Sequence, residues 1–289
     1  DLGLFSHVGA AMSGGLQTTA NASVGNASER ASAVIRLVNV YKTFGKQAVL
    51  DGVNLEIPRG KLTTIIGRSG GGKSVLLKHL IGLLRPDRGQ VLVEGTDITR
   101  LGQRELNEVR NKFAMLFQGA ALFDSLSVFE NVAFPLREKT RLSNEEIRQK
   151  VLEMLEQVGL TGMGEKYPSE LSGGMRKRSG LARALVLGPE IMLFDEPTTG
   201  LDPLLARTIN DLIQQTQRRY RFTAVMVSHE IPEVFGISDY VAMLLDGKIA
   251  EMAPPEQFVK TQNRAIQEFV NGGKPVGAAV KTVQEAQRS

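Results

Sequence analysis

Residues 67–74 read GRSGGGKS, four glycines in eight positions closed by a lysine and a serine. The run before it, KLTTIIG (61–67), is short and β-rich, and the run after it, SVLLKHLIGLL (74–84), has helical character. Strand, glycine turn and helix in that order match the pattern G-x-x-x-x-G-K-[ST] in its required context. Glycines let successive backbone N–H groups turn inward onto the phosphates of a nucleotide. The following helix offers its positive N-terminus to the same anion. Lys73 adds a point charge, and the Ser74 hydroxyl can hold Mg²⁺. Gly67, Arg68, Ser69, Gly70, Gly71, Gly72, Lys73, Ser74 and Val75 are therefore the candidate cradle for ATP, with Mg²⁺ as its companion.

Two apolar runs downstream end in groups suited to such a site. IMLF (191–194) leads into Asp195 and Glu196, and TAVMV (223–227) leads through Ser228 into His229. Continuous apolar runs of this length suit strands covered on both faces, as in a parallel sheet. The C-terminal end of such a strand is where α/β sheets place ligands. Asp195 is expected to hold Mg²⁺ through water, and Glu196 to take a proton from the attacking water. A solvated acidic turn is the plain alternative. His229 is expected at the γ-phosphate, although a lone histidine is more often structural. Gln118, in MLFQGAALF, could reach Mg²⁺ or the water, or be a surface-loop residue. Phe44 could stack on adenine, although taken alone it suits core packing better.

The rest of the chain supplies the frame. VIRLVNVYKTFG and AVLDGVNLEIPRG alternate, so that Val53, Leu55 and Ile57 share one face of an antiparallel pair. Residues 120–185 read mostly helical. Ser143 and Glu146 form an S-x-x-E capping box, and Gly159 stops the run that follows. Asp246-Gly247 between two strand-like runs signals a hairpin. The expected organisation is a leader over 1–33, an ATPase domain over 34–271 with a helical subdomain at about 119–187, and a tail over 272–289.

Composition narrows the classes. The chain of 289 residues is 42% hydrophobic and has no cysteine, which excludes disulfides and cysteine-bound metals. Its net charge of +4 is too weak and too dispersed to argue for nucleic acid. No apolar run approaches the roughly 18 residues of a membrane helix. The leader, with Asp1, Glu29 and Arg30 as its only charges, lacks the pattern of a signal peptide. A cytoplasmic location is expected, peripheral on the inner membrane if a membrane partner exists.

One further stretch, LSGGM (171–175), completes a pattern. Phe44, the loop 67–74, Gln118, LSGGM, IMLFDE (191–196), the turn Gly200-Leu201-Asp202 and His229 follow one another in an order that resembles the nucleotide-binding domain of ABC transporters. The resemblance spans about Val34 to Phe269. It implies an α/β P-loop ATPase with a parallel-sheet core, an antiparallel β subdomain and a helical subdomain. It implies a homodimer in which Ser172, Gly173, Gly174 and Met175 close over the nucleotide held by the other copy, with Asp202 in the same contact. Met175 stands where the commonest signature has glutamine, which leaves the rate of turnover open. LSGGM and its neighbouring text also resemble ATPases of Mla/Mce-type lipid transporters. That finer likeness implies a membrane permease of the Mla type, an Mce-domain lipid carrier and phospholipid cargo, with room for a small regulatory subunit. Other ABC importers or exporters, for amino acids, metals or lipoproteins, are the alternative, and a soluble ABC protein is a more distant one. Finally, GAALFDSLSVFENVAFPL (119–136) carries more apolar residues than a bare surface tolerates, about half of which should enter the helical core. The rest should form a groove for a helix of the permease.

Overall fold

A computed structural model describes residues 33–231 and 233–270; apart from Ala33, the expected leader and tail lie outside them. Two sheets and a helical layer make up the fold. The smaller sheet has the order β2-β1-β4-β5, built from β1 (Ala33–Phe44), β2 (Gln47–Pro58), β4 (Arg88–Val93) and β5 (Thr96–Asp97), all antiparallel. Val53, Leu55 and Ile57 do share a buried face, as their alternation requires.

The larger sheet has the order β10-β9-β3-β8-β7-β6. Its members are β3 (Leu62–Ile66), β6 (Phe113–Leu116), β7 (Ile191–Asp195), β8 (Thr223–Ser228), β9 (Tyr240–Leu245) and β10 (Lys248–Ala253). All neighbours are parallel except the β9–β10 hairpin. That hairpin turns at Asp246 and Gly247, both at positive φ (47° and 75°), which is the backbone a tight two-residue hairpin demands.

The apolar runs are buried on both faces, and alternation sorts them. Leu193, Val225, Val227 and Ile65 point toward a core shared with the small sheet and with α1 (Lys73–Leu80). Met192, Phe194, Met226 and Ile66 point into a second core, under the helices. That core is capped by α3 (Val128–Lys139), α4 (Asn144–Gln157) and α5 (Gly173–Leu185) and flanked by α6 (Pro203–Tyr220). The remaining helices are α2 (Gln103–Arg110), α7 (Pro255–Phe258) and α8 (Arg264–Val270). Burying each such Leu, Ile or Phe contributes about 1.5–3 kcal/mol.

Several local expectations hold. Ser143 accepts from Glu146 N and Glu146 returns the bond, fixing the start of α4, and Gly159 ends that segment at φ 68°. One expectation is corrected. The helix after the glycine loop ends at Leu80, not at 84. The N–H groups of Leu83 and Leu84 both return to the Lys78 carbonyl, and Gly82 takes φ 67°, a left-handed stop.

In the stretch 119–136, Val128 and Val132 are fully buried, Leu122, Leu126 and Phe129 are half-buried, and Phe123 and Phe134 are exposed. The two exposed rings pack at 5.1 Å. Buried Asn131 pins this loop: its Nδ2 donates to the carbonyls of Phe123, Leu126 and Ser127, and its Oδ1 accepts from Phe123 N. Among the described residues, no helix is long and apolar enough to cross a membrane.

Candidate active site

The parallel register sets the site. Asp195 of β7 pairs with Val227 of β8, and Ser228 pairs with Ile66 of β3. The glycine loop, the two carboxylates and His229 therefore leave the sheet at one height, at the C-terminal ends of adjacent strands. Gly67 begins the loop at φ 158°. A Cβ there would lie 2.4 Å from the Leu244 carbonyl oxygen, so only glycine passes β9 this closely. Gly72 caps α1 at φ 94° and turns the chain into the helix.

Lys73 is 4% exposed. Its ammonium donates to the Gly67 and Arg68 carbonyls at 3.0 and 3.1 Å, folding the loop around a fixed cation. It stands 3.7 Å from Glu196 Oε1. Burial pushes the Lys73 pKa down, and the carboxylates of Glu196 and Asp195 push it back up. The charge is thus expensive to hold without an anion and is kept by acidic neighbours. Ser74 Oγ donates to Asp195 Oδ1 at 2.8 Å. A hydroxyl and a carboxylate side by side are hard oxygen donors of the kind Mg²⁺ takes.

Glu196 is held from several directions. Its φ of 48° is a left-handed conformation rare outside glycine. Its N–H donates to the Val227 carbonyl at 3.0 Å, its Oε2 accepts from Thr199 Oγ1 at 3.1 Å, and its Oε1 lies 3.3 Å from His229 Nδ1. Backbone strain of about 1–3 kcal/mol persists only where the surroundings fix it, and here they aim a carboxylate out of the sheet.

Other expected residues lie at different distances from this cluster. A cleft of about 420 Å³ opens beside the loop, lined by residues 47–49, 68–71 and 244–247. Phe44 is not part of that lining; it is 47% exposed at the end of β1, with the Lys42 ammonium 5.6 Å from its ring. Gln118 is exposed just beyond β6. Ser172 is exposed and caps α5, accepting from Met175 N at 3.3 Å. Gly173 and Gly174 form the first turn, where a Cβ on Gly173 would lie 3.2 Å from Leu201. Asp202 caps α6 by accepting from Leu204 N and Leu205 N. A larger cleft of about 1370 Å³, along α6 at Arg207, Asn210 and Gln214, contains none of these residues.

The structure adds neighbours that the sequence reading did not single out. Thr199 holds Glu196. Thr198 Oγ1 donates to Glu230 Oε2 at 2.5 Å, next to His229. Lys177 donates to the Gln118 carbonyl. Adjacency to Glu196 and His229 was the available signal for the first three; nothing in the sequence pattern links Lys177 to Gln118.

Comparison with known proteins gives the family. Residues 50–199 match the family model described as ABC transporter. The intermembrane phospholipid transport system ATP-binding protein MlaF of Haemophilus influenzae is 44% identical over 83% of this chain and 90% of its own length. The probable ribonucleotide transport ATP-binding protein mkl of Mycobacterium leprae is 43% identical over 84% of this chain and 71% of its own. The dimeric, post-hydrolysis ATP-binding cassette MJ0796 bound to ADP and Pi superposes with a TM-score of 0.70 at 33% identity, covering 76% of this chain and 98% of that one. The chain therefore belongs to the ABC transporter family and is one of its ATP-hydrolysing members.

Proposed function

We propose that this chain is the ATPase of a phospholipid transporter of the cell envelope, working as a homodimer beneath a separate membrane permease. The observation that carries the cargo is the 44% identity to a phospholipid-transport ATP-binding protein over most of both chains. The near-equal likeness to a protein named for ribonucleotide transport favours one second reading, a nucleotide cargo for the same machine. An Mce-domain lipid carrier and a small regulatory subunit belong to the first reading.

In this mechanism the domain spans about 34–271. The N–H groups of residues 67–75 and the Lys73 ammonium bind the phosphates of ATP. Ser74, Asp195 and Gln118 would hold Mg²⁺, which when bound would neutralise the phosphate oxygens and the charge that develops on them. Glu196 accepts the proton of the attacking water, and the strained backbone beneath it keeps the carboxylate aimed at that water. His229, 3.3 Å from Glu196, keeps the carboxylate and the γ-phosphate in register. Ser172, Gly173, Gly174 and Met175 of one copy close over the nucleotide of the other, with Asp202 holding the adjoining turn. Phe44 stacks on adenine once ATP is in place.

The rings of Phe123 and Phe134, with Leu126 beside them, are the permease contact. Leu126→Glu should abolish copurification with the membrane protein while leaving ATP affinity and the circular dichroism spectrum unchanged. Native mass spectrometry of the wild-type complex should then find phospholipid. A complex that carries nucleotide cargo and no lipid would transfer the proposal to the second reading, and full assembly of a folded Leu126→Glu chain would move the interface elsewhere.

A further inference from the structure

Helix α5 presents the signature glycines at its first turn and lies against the glutamine loop along its side. Three contacts join helix and loop. Lys177, 6% exposed, donates from Nζ to the Gln118 carbonyl. Arg183 donates to the Ala120 carbonyl at 2.9 Å, and its guanidinium stands 5.6 Å from the Phe123 ring centroid. Between them, a Cβ on Gly180 would lie 2.9 Å from both Ala120 Cβ and Leu116 Cδ1. The loop backbone is thus held at the closest approach the chain allows. It is also strained: Ala120 and Ala121 have φ of 61° and 48°, a conformation non-glycine residues keep only when their surroundings enforce it.

Lys177 is an expensive way to enforce it. A buried ammonium with a carbonyl partner sacrifices more hydration than that hydrogen bond returns. Burial accordingly pushes its pKa down, and the Glu230 carboxylate pulls it partly back. Glu230 follows His229 and accepts from Thr198, two residues beyond Glu196. Methionine, of similar length, would pack in the same space without the charge. The lysine therefore serves something other than stability.

We infer that Lys177 is a positioning residue for hydrolysis: by tying the Gln118 main chain to the signature helix, it makes the signature turn and Gln118 move as one body. A signature engaged on the second copy's nucleotide then sets Gln118 over the nucleotide of its own chain, in the field of Glu230 and His229. Lys177 itself touches neither ATP nor water in this scheme. The inference rests on the ATPase reading of the site.

The test is Lys177→Met in the purified full chain, with ATP as the probe. Thermal stability should be unchanged or higher, since a buried charge is removed. ATP affinity and KM should stay within about twofold, because the phosphate cradle is untouched, while kcat falls roughly 10- to 100-fold as Gln118 loses its placement. Lys177→Arg, which keeps a donor to the carbonyl, should recover most of that loss. A Lys177→Met chain with wild-type kcat overturns the inference. So does a fall in kcat that merely tracks lost folded protein, or an arginine variant no better than the methionine one. Lys73→Ala, run in parallel, separates the two levels. If it binds ATP as well as the wild type, the nucleotide reading itself falls. If it loses ATP while Lys177→Met hydrolyses normally, only the role of Lys177 falls.

Discussion

The phosphate loop and the signature turn are both glycine-bearing starts of helices, yet they are finished differently. At the loop, the chain supplies its own counter-groups: two carbonyls and Glu196 around Lys73, and Asp195 on Ser74. At the signature, Ser172 spends its hydroxyl capping α5, the first turn carries no acidic side chain, and the residue is exposed. A helix N-terminus carries roughly half a positive charge. One region is chemically closed within the chain, and the other offers positive potential to something outside it. Under the proposed function two such half-sites would meet head to tail across a pair of copies, and the cassette this chain superposes on is dimeric.

Substitutions on each side should separate the two roles. The largest effect is expected from Glu196→Gln. The amide keeps the shape and can still accept from Thr199, but it cannot take a proton. Turnover should fall by about 10²–10⁴ with ATP binding intact. ATP should then trap a closed dimer, seen as an earlier peak by size-exclusion chromatography; wild-type turnover would remove Glu196 from the chemistry.

Next is Ser172→Arg, expected to lower kcat on the order of 100-fold, because a bulky side chain on the exposed turn blocks approach of the other copy's nucleotide. Binding of ATP to the same chain, followed by calorimetry, should change less than about twofold. Loss of binding in the monomer would mean that the signature serves its own loop, and the distinction between the halves would collapse. Lys73→Ala should do the converse. Removing the buried cation should weaken ATP binding by roughly 30- to 100-fold, about 2–3 kcal/mol.

These assignments were legible in unequal measure. The phosphate loop, Asp195-Glu196 and His229 could be read because their chemistry is local: a fixed spacing, or a charge ending an apolar run. The β9–β10 hairpin and the α4 capping box were legible for the same reason. β6 was not, since its four residues flow without a break into the apolar loop beyond. β4 opens on the polar run Arg88, Gly89 and Gln90, and β5 has only two residues, so neither announces itself. The pattern alone leaves Gln118 open between a contact to Mg²⁺ or water and a surface-loop residue until resemblance singles it out, and Lys177 escapes altogether, because its partner lies 59 residues away along the chain. Phe44 shows another limit: taken alone it suits core packing, yet its ring is exposed at the end of β1, near the Lys42 ammonium, and only resemblance points it at adenine.

The smallest effect is expected from Met175→Gln, which restores the commonest signature. Two facts limit what this side chain does. Met175 is half-buried against the helical core, so its thioether is spent largely inside its own chain. The turn around it is held by main-chain groups: Met175 N donates to Ser172 Oγ, and the Met175 carbonyl accepts from Ser179 Oγ at 2.9 Å. An amide in the same place must be partly desolvated, at a cost of about 1 kcal/mol. The melting temperature should therefore fall by roughly 2–4 °C in a scanning calorimeter. The N–H groups at the start of α5 stay where they are, so kcat should remain within about threefold, a change of about 0.7 kcal/mol in barrier height. A tenfold change in kcat, in either direction, would mean that the side chain at 175 reaches across to the second copy's nucleotide. The boundary between the closed half and the open half would then run through the helix itself, one residue deeper than Ser172, Gly173 and Gly174 alone define.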